Sequence, residues 1–217
     1  MTNWYDQINL KTDYLLNHIK SHAFIKDLMD GTLEEDIFYF YIKQDVIYLS
    51  EYKKILAQIA IKCDEDTETQ FFLDAATGII AVENALHQNY IKEKNTSAQA
   101  SPTCELYISY LSRMINTKPV EEGLAAVLPC FTIYKQIGDY ILNNQTNQKS
   151  NPYQNWINTY GGEEFENSVT KAIEITNKYA TQTSPKLRSR MNLAFEKASK
   201  LEWMFWDSAY KQERWKV

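Results

Sequence analysis

The chain has 217 residues, 44% of them hydrophobic and 13% aromatic, and a net charge of −5, which suits one large domain with a substantial core. The acidic balance and the lack of a basic cluster exclude the electrostatic footprint of a nucleic-acid binder, and no apolar run approaches the roughly 20 residues that span a bilayer. The opening Met1-Thr2-Asn3-Trp4-Tyr5-Asp6 has neither the basic nor the apolar region of a signal peptide, and the odd set Cys63, Cys104 and Cys130 has no disulfide or metal-type spacing, so a cytoplasmic protein with reduced thiols is expected.

Only six Gly and five Pro punctuate the chain, against 15 Tyr, a composition of long helices around an aromatic interior. Trp4 to Ile19 reads as an amphipathic helix, and Ser21 to Leu28 as a short second one stopped near Asp30-Gly31. His18 and His22 lie four apart but have no acidic or cysteine partner nearby in sequence, so they read as surface or interface residues. Thr32-Leu33-Glu34-Glu35 has the form of a capping box opening a helix to about Cys63. The inward stripe of that helix is Phe38, Tyr41, Asp45, Tyr48, Tyr52, Ile55 and Ile59. Asp45 therefore falls among apolar residues, where a carboxylate needs partners or a shifted pKa. It reads either as a structural aspartate bonded to tyrosines or as a functional group.

After Asp64-Glu65-Asp66 a helix is expected to about Lys94, with Phe72, Ala76, Ile79, Glu83, Leu86 and Tyr90 in phase and His87 one turn beyond Glu83. Asn95 to Ala100 reads as a loop, and Ser101-Pro102-Thr103 as the start of a helix carrying Tyr107 and Tyr110. Lys118-Pro119 begins the next helix, whose stripe is Gly123, Val127, Cys130, Tyr134, Ile137 and Ile141. This places Cys130 inward. Pro129 beside it has no N–H and frees the Ala125 carbonyl, a defect costing roughly 3 kcal/mol in an ordinary helix interior. A buried cysteine and a core tyrosine remain the simplest account of Cys130 and Tyr134 taken alone.

Asn143 to Asn151 reads as a surface loop. Tyr153 to Thr159 is a short helix closed by Tyr160-Gly161-Gly162, where paired glycines allow a sharp turn. A helix from Glu163 to Ala180 follows. Ser184-Pro185 opens the last one, with Met191, Phe195, Ala198, Glu202, Phe205 and Ala209 in phase. No segment alternates like a strand. The expected architecture is all-α, a single-domain bundle of about seven or eight helices over residues 1–217.

Asp45, Cys130 and Glu202 each interrupt an apolar or aromatic stripe on a different helix. With Tyr48, Tyr107, Tyr134 and Tyr160 they make a constellation that resembles the TenA family, also called thiaminase II or aminopyrimidine aminohydrolase. The matching segments are Asp30-Gly31-Thr32-Leu33, Gln44-Asp45-Val46-Ile47-Tyr48-Leu49, Glu83-Asn84-Ala85-Leu86-His87, Leu128-Pro129-Cys130, Thr159-Tyr160-Gly161-Gly162 and Phe205-Trp206-Asp207-Ser208-Ala209-Tyr210. The N-terminal twenty residues and the Asn143 to Asn151 loop do not match clearly. The resemblance implies a haem-oxygenase-like helical fold, a homotetramer, and hydrolysis of thiamin-related pyrimidines without metal or organic cofactor.

By that resemblance Cys130 is the nucleophile, Glu202 the proton donor and Tyr48 the residue that activates Cys130. Asp45 binds the exocyclic 4-amino group, Tyr134 and Tyr160 contact substrate, and Tyr107 is a pocket partner. Cys130 places the chain in the cysteine-containing branch rather than the glutamate-containing one. A donor role requires Glu202 to hold its proton near neutrality. Two other readings are open to the sequence: a non-catalytic pyrimidine-binding regulator, and a di-iron oxygenase using Asp45, Glu83, His87 and Glu202. The second lacks the paired Glu-x-x-His motifs of such sites.

Overall fold

A computed structural model describes residues 3–90 and 99–216, the stretch 81–90 by its backbone. The described residues form nine helices and no strand: α1 (Trp4–Lys20), α2 (Ala23–Asp30), α3 (Glu35–Ala60), α4 (Asp66–Tyr90), α5 (Pro102–Thr117), α6 (Val120–Asn144), α7 (Gln154–Gly161), α8 (Glu163–Gln182) and α9 (Pro185–Tyr210). The all-α expectation holds. The side chains of Glu83 and His87, and the expected continuation of their helix to Lys94, lie outside the described residues. The chain divides into two compact units, one of Met1–Leu33 and Leu124–Trp203, the other of Glu34–Gly123 and Met204–Val217.

In the first unit α1 packs on α2 and α8, and α7 on α8. The Trp4 indole donates to Asn192 Oδ1 at 2.7 Å and the Tyr5 backbone N–H to Asn177 Oδ1 at 2.8 Å. Phe195 meets both aromatic rings edge-on, with centroids 6.0 and 6.1 Å away. Helix α2 starts two residues later than expected, because the His22 imidazole caps it, Nδ1 accepting from the Phe24 N–H at 3.1 Å. Gly31, at φ 70°, closes it in the left-handed conformation.

That closure overturns the expected capping box. The Thr32 backbone N–H donates back to the Asp27 carbonyl at 2.8 Å, and its hydroxyl approaches the same oxygen at 3.5 Å. Thr32 thus finishes α2 instead of starting α3, whose N-cap is Glu34 without a side-chain cap bond. The Asn- and Gln-rich segment after α6 is likewise more than a surface loop. Asn151 is buried, its Nδ2 donating to the Leu28 and Met29 carbonyls at 2.9 and 3.0 Å, while Asn147 Nδ2 donates to the Asp30 carbonyl at 2.6 Å. These side chains donate to the carbonyls at the end of α2, where Leu28 also accepts from the Gly31 N–H at 3.2 Å, and each bond contributes about 1 kcal/mol net. The Tyr153 hydroxyl ties down the Leu33 carbonyl at 2.5 Å.

In the second unit α3 packs on α4 and α5. All seven positions of its expected stripe, from Phe38 to Ile59, are buried. Ser101 caps α5, its hydroxyl accepting from the Cys104 N–H, and Pro102 occupies the first turn. Gln44 of α3 grips the approach to this helix: its Nε2 donates to the Gln99 carbonyl at 3.2 Å and its Oε1 accepts from the Ser101 N–H at 2.7 Å. The C-terminal tail clamps the same point, with Thr103 N–H donating to Glu213 Oε2 and the Trp215 indole to the Ala100 carbonyl, both at 2.9 Å.

Candidate active site

Cys130, Tyr134, Tyr160 and Glu202 belong to the first unit. Helix α6 does not present a single inward stripe there, as its periodicity suggested: residues 124–129 are all buried, and Cys130 is half-buried. The central part of α6 is enclosed on every side, so its apolar residues run continuously and the period carries no facing information. Of the expected stripe, Gly123, Val127, Tyr134, Ile137 and Ile141 are buried and Cys130 is the partly exposed member. Partial exposure suits a thiol that must be reached by a reagent better than full burial does.

One turn beyond the cysteine, the Tyr134 ring lies 4.8 Å from the ring of Tyr160, at 48°. Trp156 backs both, with its centroid 4.7 Å from Tyr160 and 6.2 Å from Tyr134, and Phe165 meets Tyr160 edge-on at 5.4 Å. Sequence reasoning named the two tyrosines and missed Trp156, although its four-residue spacing from Tyr160 on a short helix was the available signal. Glu202 is 1% exposed in the middle of a stripe whose other members, Met191, Phe195, Ala198, Phe205 and Ala209, are all buried too. The Glu202 carboxyl is thus removed from bulk water.

Asp45, Tyr48 and Tyr107 belong to the second unit. Tyr48 stacks on Tyr52 at 5.3 Å and 19°, lies 4.9 Å from Tyr107, and has Phe205 at 5.7 Å. Phe205 also meets Tyr41 edge-on at 6.0 Å. The result is an aromatic wall in which Tyr48 is central, and Tyr52 and Phe205 join it without having been assigned a site role. Asp45 is 2% exposed, one turn before Tyr48. Its charge is felt by Cys104, a fully buried thiol whose pKa burial pushes up to about 12, with Asp45 and Glu105 adding to the rise. Cys104 Sγ points at the Gln44 carbonyl at 3.6 Å.

Neither N-terminal histidine joins a ligand set: His22 caps α2 and meets Trp203 edge-on at 5.6 Å, and His18 meets Tyr14 edge-on at 6.2 Å. Among the described residues no group of three or more His, Cys, Asp or Glu could hold a metal ion, and no helix is long and apolar enough to cross a membrane.

The fold is of the haem-oxygenase-like class. A domain of unknown function with a heme oxygenase-like fold from Shewanella denitrificans OS217 matches it with a TM-score of 0.76 at 16% identity, over 95% of this chain and 92% of that one. A TenA homologue from P. horikoshii OT3 matches with a TM-score of 0.83 at 25% identity, over 97% and 99%. The model of the TENA/THI-4/PQQC family matches residues 7–212, and the chain belongs to that family. It is 31% identical over 200 residues to the aminopyrimidine aminohydrolase of Bacillus subtilis strain 168, covering 89% of this chain and 84% of that one.

Proposed function

We propose that this protein is a hydrolase of thiamin-related pyrimidines, converting 4-amino-5-aminomethyl-2-methylpyrimidine and water to the 5-hydroxymethyl compound and ammonia, and also cleaving thiamin to hydroxymethylpyrimidine and thiazole. The observation that carries this reading is the 31% identity to an aminopyrimidine aminohydrolase across 89% of the chain. The chemistry of the residues supports it: a half-buried thiol at Cys130 and two buried carboxyl groups, Asp45 and Glu202. A heterocycle with an amino substituent needs flat apolar walls and a few placed polar groups.

The proposed roles follow the resemblance residue by residue. Cys130, as thiolate, adds to the electron-poor ring carbon adjacent to N1, and Glu202 gives its proton to the ring nitrogen. The electron pair gained by the ring then expels ammonia from the protonated aminomethyl arm, or the neutral thiazole from thiamin, and the water that next adds gives up one proton to solvent, which balances the proton carried off by the amine. Water adds to the exocyclic carbon, and reversal of the first step returns the thiolate and reprotonates Glu202. Tyr48 raises the nucleophilicity of Cys130, Asp45 accepts a hydrogen bond from the 4-amino group, and Tyr107, Tyr134 and Tyr160 line the ring. No metal or organic cofactor takes part in this scheme. We further propose that residues 1–217 act as one domain, assembled as a cytoplasmic homotetramer.

Cys130→Ser tests the scheme, because a hydroxyl of similar shape is far less ionised near neutral pH. Turnover of the aminomethylpyrimidine should be almost lost while circular dichroism is unchanged. A kcat above a tenth of the wild-type value would remove Cys130 from the nucleophile role.

A further inference from the structure

Helices α6 and α7 approach so closely at Gly138 and Gly161 that neither position has room for a side chain. A Cβ added to Gly138 of α6 would lie 2.6 Å from the Tyr160 carbonyl carbon, 2.7 Å from Gly161 N and 2.9 Å from the Tyr160 carbonyl oxygen. All three are backbone atoms of α7 and cannot swing aside. Facing it, a Cβ on Gly161 would meet Leu142 Cδ1 at 2.1 Å and Cγ at 3.1 Å. Neither glycine has a positive φ, a conformation that among the described glycines belongs to Gly31 alone. Backbone freedom therefore does not require glycine at 138 or 161. A glycine inside a helix costs about 1 kcal/mol relative to alanine, and close approach is the physical reason left for both.

The site of approach matters because of what flanks it. Gly138 lies one turn beyond Tyr134 on α6, and the backbone it touches is that of Tyr160, whose ring meets the Tyr134 ring at 4.8 Å. Trp156, one turn earlier on the same short helix, packs on both rings. We propose that Gly138 is a positioning residue: by admitting the α7 backbone against α6, it sets the distance of the Tyr160 ring from Tyr134 and so the shape of the wall that receives the pyrimidine. The proposal rests on the reading of Tyr160 as a substrate contact.

The size of the perturbation follows from the distances. Restoring an ordinary 3.4 Å contact to a Cβ at 2.6 Å moves α7 outward by about 0.8 Å. A misplacement of about 1 Å costs up to about 10²-fold in a reaction that depends on orientation. Gly138→Ala should thus lower kcat/KM for the aminomethylpyrimidine by about 10- to 100-fold, the larger share falling in KM because Tyr160 already contacts the ground-state ring.

A double-mutant cycle separates positioning from a general effect on folding. If Gly138 acts through Tyr160, Gly138→Ala changes KM by less than about twofold in a Tyr160→Ala background. An equal loss in both backgrounds, or no loss with Tyr160 intact, overturns the proposal. Should Gly138→Ala fail to fold, Gly161→Ala takes its place, because its clash is with the end of a flexible side chain. It should raise KM, Leu142→Ala should restore it, and Tyr160→Ala should abolish the difference. A rise in KM that survives without Tyr160 overturns the proposal equally. Failure of the underlying functional reading has its own mark: Tyr160→Ala then leaves kcat and KM unchanged, or the wild type does not turn over. In that event near-ultraviolet circular dichroism of the Tyr134, Trp156 and Tyr160 cluster decides, since Gly138→Ala must alter it with far-ultraviolet signal retained, and an unaltered spectrum ends the proposal.

Discussion

The three cysteines should differ sharply in reactivity, and the difference can be worked out from Cys104. Burial is the main cause that lifts its pKa from 9.0 to about 12, with the charge of Asp45 next. At about pH 8 an ordinary thiol is about one-tenth thiolate, while a thiol of pKa about 12 is thiolate in about one molecule in 10⁴. Ionisation alone therefore slows alkylation of Cys104 by about 10³-fold, before the complete enclosure of its side chain is counted. Cys63 and Cys130 are only half-buried. Native protein treated with iodoacetamide, digested and followed by mass spectrometry should show early labelling at 63 and 130, with Cys104 modified only after unfolding in urea. Labelling of Cys104 within tenfold of Cys63, in protein that keeps its near-ultraviolet spectrum, would refute the reasoning. The same assay ranks the two causes. Since burial outweighs Asp45, Asp45→Asn should accelerate Cys104 by less than tenfold, and a return to the rate of an ordinary thiol would mean that the carboxylate holds the proton in place.

Stability should fall on the alkaline side. Tyr5 and Tyr110 are raised from 10.0 to about 12, chiefly by burial, as Cys104 is from 9.0. Between these values the unfolded chain has released protons that the folded chain still binds, so stability declines as pH rises through that window and is fully present below about pH 9. Urea titrations from about pH 8 to 11 should show the decline, and Tyr5→Phe should make it shallower; parallel curves would exclude Tyr5 as a contributor. Glu202→Gln should lower kcat by about 10²- to 10⁴-fold, the range for a positioned general acid, while calorimetric binding of the pyrimidine persists. Near-wild-type turnover would make Glu202 structural and bring Asp45 forward as proton donor.

Much of this was legible along the chain because a helix converts spacing directly into facing. The α3 and α9 stripes are one-dimensional patterns, and the burial of Asp45 and Glu202 within them follows from counting by threes and fours. Counting failed where more than one face is covered, as in α6, since a continuous apolar run has no phase to read. It also failed where one residue type serves two local purposes. Thr32 has the form of an opening cap, but Gly31 turns the chain so that the Thr32 N–H reaches back to Asp27. Asn147 and Asn151 are polar enough to read as surface, and short amides are also good partners for the open carbonyls of a helix end. Those carbonyls belong to residues 28–30, more than a hundred positions earlier, so no local pattern could announce them.

The glycines show the same ambiguity in its simplest form. Gly31 is needed for a backbone angle, and any side chain there is strained whatever the space around it. Gly138 and Gly161 have ordinary angles and are needed because a Cβ would occupy the space of another helix. Pairing Gly161 with Gly162 suggested a sharp turn. The break between α7 and α8 does fall at Gly162, and Gly161 is paired also with Gly138, 23 positions earlier and on a different helix, where the Cβ of one would meet the backbone of the other. A conformational requirement is local and can be read from neighbours in sequence, whereas a requirement for absent volume is set by whatever packs opposite. The second kind emerges only when α6 and α7 are seen side by side, with Tyr134 and Tyr160 carried on the two surfaces that the missing side chains bring together.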